Sequence, residues 1–355
     1  MARRPTNQRT TNQRTTNQRA ANQRAGNQRD ADQRDAGRRT ASRRAAGRPR
    51  AEQPQAQQPR AQQAPAEQPR VERGAARRIT TRNARFQQWE SLLTNRNKRQ
   101  RAGEFLVQGV RPISLAVERG WPVRTLIHDA GRPLSRWARE LLAGARDAEH
   151  VAMAPELLAE LGEKNEAPPE LVAVVGMPED DLNRIPIGED FLGVVFDRPT
   201  NPGNVGSVIR SADAFGADGV VVTGHAADVY DPRAVRASTG SLFALPAVRT
   251  PSHHEVMEWV DRARRADGLP VVVVGTDERG ECAVYDFDFT VPTLLLVGNE
   301  TSGLSNGWRE RCDHLVSIPM TGAASSLNAA NAATAVLYEV ARQRAAARRP
   351  GAATP

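Results

Sequence analysis

The stretch from Phe191 to Thr223 decides what this chain can become. It reads FLGVVFD, RPTNPGN, VGSVIRSADAF and, after Gly216-Ala217-Asp218, GVVVT. An apolar strand, 191–197, runs into a Pro/Gly/Asn loop, 198–204. An amphipathic helix, 205–215, then leads to a second apolar strand, 219–223. Strands that are apolar without alternation need cover on both faces, and the strand–helix–strand order supplies it. The chain is thereby committed to α/β architecture with a parallel sheet. Gly203 and Gly206 allow a sharp turn and a close backbone approach, and the helix starting there presents unpaired N–H groups to a polar ligand. The same residues also serve as a plain turn, with Asn204 as the helix cap.

Units of the same kind follow. A turn of helix at 232–238, a strand near 245–248, a helix over 251–266 and a strand at 270–274 come first. A strand at 293–297, a short helix around 304–311, a strand at 315–318 and a final helix from Ser326 to about Ala345 complete the domain, 191–345. Upstream, folding begins near Ile79. Asn83 to Leu93 carries Phe86, Trp89 and Leu92 at helical spacing, and alternating strands and helices reach to Met177, which predicts a small α/β domain over 79–177. An acidic linker, 178–190, joins the two.

Composition separates the rest. Residues 1–78 hold 19 Arg, no Lys and 6 Asp or Glu, a net +13, whereas the whole chain is +8, so the remainder carries −5. Residues 6–35 repeat a five-residue unit of the TNQRT type and decay into Arg/Ala and Gln/Pro tracts. Such a segment has little to bury and is expected to stay disordered, as are residues 346–355. Its arginines suit salt-sensitive phosphate contacts, or the repeat is neutral. Cys282 and Cys312 are the two cysteines, too few for a disulfide scaffold, and neither stands at metal-ligand spacing with a histidine. No stretch approaches a membrane span and no secretory apolar region follows Arg3-Arg4, so a cytoplasmic protein is expected.

Three strand ends carry polar or glycine-rich loops: TNPGNVG at 200–206, GNETSG at 298–303 and PMTGAASSLN at 319–328. Ligands bind beyond the carboxyl ends of parallel strands, so the loops are expected to converge. None is a P-loop, and the first is GxxG, not GxGxxG. Arg210 lies off the apolar stripe of Val208, Ala212 and Phe215. Glu300 sits in a sharp turn between Gly298 and Gly303. Ser325 or Ser326 suits the cap of the last helix, and Asn328 has no apolar face to explain it.

NPGNVGSVIRSADAFGAD, LLLVGNETSGL and VSIPMTGAASSLNAANAATAVLYE resemble, in order and spacing, the three signature motifs of the SpoU/TrmH family of S-adenosylmethionine-dependent RNA ribose 2′-O-methyltransferases, in the SPOUT superfamily. More weakly, NKRQRAGEFLVQGVRPI is similar to the substrate-binding domain of the family's rRNA-modifying branch. The resemblance implies a trefoil knot in the C-terminal domain and a homodimer whose active site is completed across the interface. It places Asn204, Arg210, Glu300, Ser326 and Asn328 at the catalytic centre, and Gly298, Ile318 and Leu327 around adenosylmethionine. Arg233, Arg236 and Ser238 become candidates for RNA contact. The basic run Arg96, Lys98, Arg99 and Arg101, next to Phe86 and Trp89, reads either as a solvated helix end or as a further RNA contact. The implied target is 23S rRNA, with tRNA as the alternative and a non-catalytic RNA-binding relative as the second class. Methyl transfer from a sulfonium needs no metal, which agrees with the lack of metal spacing.

Overall fold

The computed structural model describes residues 77–162 and 168–348. The repeat tail, apart from Arg77 and Arg78, and residues 349–355 lie outside the described residues.

A five-stranded sheet comes first. Its elements are β1 (Arg77–Ile79), α1 (Ala84–Thr94), α2 (Arg96–Ala102), β2 (Glu104–Gln108), α3 (Val110–Glu118), β3 (Val123–Asp129), α4 (Arg136–Gly144), β4 (Glu149–Met153), α5 (Pro155–Leu161) and β5 (Leu171–Gly176). The strands run β1-β4-β3-β5-β2, with β5 antiparallel to both its neighbours. β1 pairs with β4, so Arg77 and Arg78 belong to the sheet and not to the tail. Asn83 caps α1 by accepting from the Phe86 N–H, and Phe86, Trp89 and Leu92 point into the core as their spacing predicts.

The second sheet has seven strands, all parallel. In chain order come β6 (Leu192–Asp197), α6 (Pro202–Ala214), β7 (Gly219–Thr223), α7 (Pro232–Ala237), α8 (Ser241–Ala244), β8 (Ala247–Thr250), α9 (His253–Ala266) and β9 (Val272–Thr276). Then follow β10 (Cys282–Ala283), β11 (Thr293–Val297), α10 (Asn306–Arg309), β12 (His314–Ser317) and α11 (Ala329–Ala347). The spatial order is β10-β12-β9-β11-β6-β7-β8. Adjacent residues of one strand enter different cores. Val194 and Phe196 pack under α6 and α11, whereas Val195 packs with Val256, Trp259 and Val260 of α9. Both faces are therefore covered, and each fully buried side chain of this size contributes about 1.5–3 kcal/mol.

The first of these cores continues without a break into the five-stranded sheet through Phe105 and Val107. The Phe105 ring lies 4.8 Å from Tyr230, and the Trp121 indole N–H donates to the Phe243 carbonyl at 3.1 Å. The segment 178–190 is packed as well: Ile185 is buried and the Asp180 carboxylate meets Arg249 at 2.7 Å.

Element starts differ from expectation where two polar residues compete to cap. α6 begins at Pro202 because Asn201, not Asn204, accepts from the Gly203 N–H at 2.8 Å. α11 begins at Ala329, not Ser326, because Asn328 accepts from Ala330 and Asn331. α11 also continues to Ala347, past the expected end. Its alanine-rich face is used inside the chain, where Ala330, Ala333 and Leu337 are buried and Thr334 meets Ser211 of α6 at 2.7 Å.

Candidate active site

Glu300 is the hub of the loops. Its Oε2 accepts from the Thr200 N–H at 3.0 Å and the Thr200 hydroxyl at 3.1 Å, while Oε1 accepts from the Asn201 N–H at 3.1 Å and Asn204 Nδ2 at 3.0 Å. Burial alone would raise this carboxyl. The N–H groups of Thr200 and Glu300 itself, the Asn204 amide and the Asn201 N–H outweigh it and hold the carboxyl below its ordinary value.

The network runs on from Asn204 to Asn328, whose Nδ2 donates to Asn204 Oδ1 at 3.1 Å. Its polarity is fixed at both ends. A carboxylate can only accept, so Asn204 must turn its NH₂ toward Glu300. The N–H groups at the start of α11 can only donate, so Asn328 must turn its NH₂ toward Asn204. Each amide nitrogen keeps one hydrogen that is not spent on this network.

The turn carrying Glu300 is itself held. Asn299 Oδ1 accepts from the N–H groups of Thr301 and Ser302, and its Nδ2 donates to the Arg198 carbonyl at 2.7 Å. Arg198, at the end of β6, has a φ of +51°, in the left-handed region, and donates back to the Gly303 carbonyl at 3.2 Å. Gly298 has room for no side chain, because a Cβ there would lie 2.5 Å from the Gly303 carbonyl carbon.

A cavity of about 590 Å³ opens beside the hub, lined from the ends of β9, β11 and β12 and from the start of α11. Gly298, Ile318 and Leu327 line it, together with Glu300 and Ser326. Ser326 is exposed there. The 276–279 turn, Thr-Asp-Glu-Arg, also lines the cavity and was missed by sequence reasoning, although it obeys the same rule of polar turns at strand ends. Its Asp277 pairs with Arg309. Leu327 and Met320 are exposed apolar side chains on the wall, which a ligand would cover. The size and the apolar wall suit a nucleoside such as adenosylmethionine, while Arg279 and Arg309, also on the lining, pair with Glu278 and Asp277. Among the described residues no group of three or more His, Cys, Asp or Glu could hold a metal ion.

Arg210 is exposed on α6, and its guanidinium has no partner among the described residues. It stands six residues beyond Asn204. At 3.6 residues per turn the two side chains point roughly 120° apart, so the structure does not bring them together within one chain.

The proposed RNA contacts divide. Lys98, Arg101, Arg233 and Arg236 are exposed, with Arg233 held by Asp231 at 3.0 Å. Arg96 is half-buried and donates to the Ala226 carbonyl at 2.6 Å. Arg99 and Ser238 are corrections. Arg99 is 2% exposed and paired with Asp228 at 2.8 Å, and Ser238 is fully buried with its hydroxyl on the Val235 carbonyl. A guanidinium and a hydroxyl so enclosed offer no face to a phosphate.

Comparison with known proteins gives the family. The SpoU L30e-like domain matches residues 83–173, and the SpoU rRNA Methylase family matches residues 192–338. The chain is 74% identical over 274 residues to the 23S rRNA (uridine(2479)-2′-O)-methyltransferase of Streptomyces viridochromogenes, covering 77% of this chain and 95% of that one. The crystal structure of the SpoU methyltransferase AviRb from the same organism, in complex with AdoMet, superposes with a TM-score of 0.72 at 74% identity over 74% of this chain and 99% of that one. An AdoMet-bound rRNA methyltransferase from Sinorhizobium meliloti gives 0.67 at 28% identity, over 75% and 97%. With its two sheets, its loop cavity and these relatives, the chain belongs to the SpoU rRNA methylase family.

Proposed function

We propose that this protein transfers a methyl group from S-adenosylmethionine to a ribose 2′-hydroxyl of 23S rRNA, at a uridine as named for the Streptomyces viridochromogenes relative. The observation that carries the reading is the Glu300–Asn204–Asn328 network at the cavity. A ribose hydroxyl is a poor nucleophile until its oxygen is oriented and its proton drawn away. The uncommitted N–H groups of Asn204 and Asn328 suit that oxygen, and the amides are kept from turning by Glu300 and by the first N–H groups of α11 respectively. The sulfonium cofactor supplies an activated methyl, and Gly298, Ile318 and Leu327, which line the cavity, would hold it, with Ser326 completing the catalytic centre beside them.

Arg210 is assigned to the phosphate of the target nucleotide or to polarising the hydroxyl, since a guanidinium resists deprotonation. Its direction, away from Asn204 of its own chain, supports a homodimer in which it reaches the partner's target ribose. Tyr338, 59% exposed on α11 and edge-on to Phe215, is a candidate for that interface, because the alanine face is already occupied. A trefoil knot over β11 to α11 is part of the same reading. β12 follows β11 in the chain but lies beyond β9 in the sheet, and the backbone at Gly280 passes so close to Val316 that a Cβ would stand 2.3 Å away. A domain division at 79–177, 178–190 and 191–345 and a cytoplasmic location with ribosomal RNA complete it. Among the described residues no helix is long and apolar enough to cross a membrane.

The test is methyl transfer in vitro. The full chain with radiolabelled adenosylmethionine is expected to label 23S rRNA from cells lacking the gene and to leave tRNA unlabelled, the label resisting base conversion as a 2′-O-methyl group. Label in tRNA alone would move the target. Cofactor binding with no label in either RNA would make the protein a binding relative.

A further inference from the structure

One member of the basic run that follows α1 is turned inward. Arg99, buried at 2% exposure, donates through Nε to Asp228 Oδ2 at 2.8 Å and through Nη1 to the Leu92 carbonyl at 2.6 Å. Its Nη2 stands 3.8 Å from Asp231. Arg96, one turn earlier, donates to the Ala226 carbonyl. One helix of the small sheet thus grips the loop 226–231 of the large sheet at three places. Asp231 is the cap of α7, accepting from the Arg233 N–H at 3.0 Å. α7 in turn seats on α6 so tightly that a Cβ on Gly206 would lie 2.2 Å from the Ala234 carbonyl oxygen. Gly206 is two residues beyond Asn204. An unbroken series of contacts therefore joins the small sheet, the exposed arginines of α7 and the catalytic turn of α6.

We infer that Arg99 is a positioning residue for RNA: by clamping Asp228 and reaching Asp231, it sets α7, with Arg233 and Arg236, at a fixed angle to the small sheet. The inference rests on the reading of RNA as substrate. An arginine suits the task, because Nε and Nη2 of its planar head close together on the single oxygen Asp228 Oδ2 and fix direction as well as distance. The charge is too deeply enclosed to be screened by salt. The apolar junction of Phe105, Trp121, Tyr230 and Phe243 holds the two sheets together independently of the ion pair, which leaves the clamp to set orientation.

Arg99→Met in the full chain tests this: Asp228 Oδ1 keeps the Tyr230 N–H at 3.1 Å and Arg249 at 3.8 Å, while Oδ2 loses the guanidinium that held it. KM for 23S rRNA is expected to rise about tenfold or more, a loss of about 1.4 kcal/mol, with kcat and adenosylmethionine affinity within about twofold. Hydrogen exchange over 226–238 should quicken, and Arg99→Lys should restore part of the KM. A lowered Tm with unchanged KM would overturn the inference and leave Arg99 as support only, as would equal losses in RNA and cofactor affinity. Asp228→Asn, which keeps the shape of the site, carries the same prediction if the methionine variant does not fold. If the wild-type chain transfers no methyl group to 23S rRNA, the proposed function fails, and the clamp is judged by the same tenfold criterion in filter binding to that RNA.

Discussion

At the scale of single residues, the site separates holding from reacting. Arg210 is exposed and makes no hydrogen bond or ion pair among the described residues, so Arg210→Ala is expected to leave folding and adenosylmethionine affinity unchanged while methyl transfer falls by about 10²–10³, the loss typical of one transition-state donor. Asn328 carries two duties. Asn328→Ala should lower turnover and also cost about 1 kcal/mol of stability, because the cap of α11 goes with it. Single-turnover rates beside thermal melts distinguish the two variants. Ser and Asn stand close together before this helix, and nothing in the sequence ranks them as caps, which is why the start was misplaced by one turn. The role of Arg99 was equally hidden. A buried and a solvated arginine look alike in a run of charges, and its partner Asp228 lies 129 residues away.

Glu300 sets the acid limit of the site. Its carboxyl is held below the ordinary value in the folded protein, so the stability it provides is complete above about pH 4.3, its unfolded value. That stability is lost only as pH falls through the lower folded value. Activity is therefore expected to show no titration from this group down to the ordinary carboxylate range, as a pH–rate profile would record. Glu300→Gln should be poor at every pH, because an amide nitrogen would then face donors that the carboxylate accepted.

Among the elements, the strands were legible and the turns less so. β6, β7 and β11 are continuous apolar runs between polar loops, a signal that needs no partner to interpret. β10 has only two residues and α8 only four, too short for any period, and both were missed. The 276–279 turn followed a strand that had been recognised, and the strand-end rule could have found it. α6 depends on Gly206, where α7 crosses. Gly206→Ala is expected to destabilise the fold by about 1–3 kcal/mol through overpacking, measurable by urea denaturation, and to lower transfer further by lifting α7 from the catalytic turn.

For the whole molecule, the two sheets share a core, so a cut between them is expected to expose apolar surface and destabilise both. The basic tail is a different matter. Removing residues 1–76, which spares β1, is expected to keep the fold and adenosylmethionine affinity, to weaken RNA binding and to flatten its salt dependence as phosphate contacts are lost. An unchanged salt slope would make the repeat neutral. The most direct measurement is a map of 2′-O-methyl groups in 23S rRNA from cells with the gene, without it, and with Arg210→Ala in its place. One ribose methyl is expected in the first and is absent from both others. An identical map in all three, or a methyl group kept by Arg210→Ala, would contradict it.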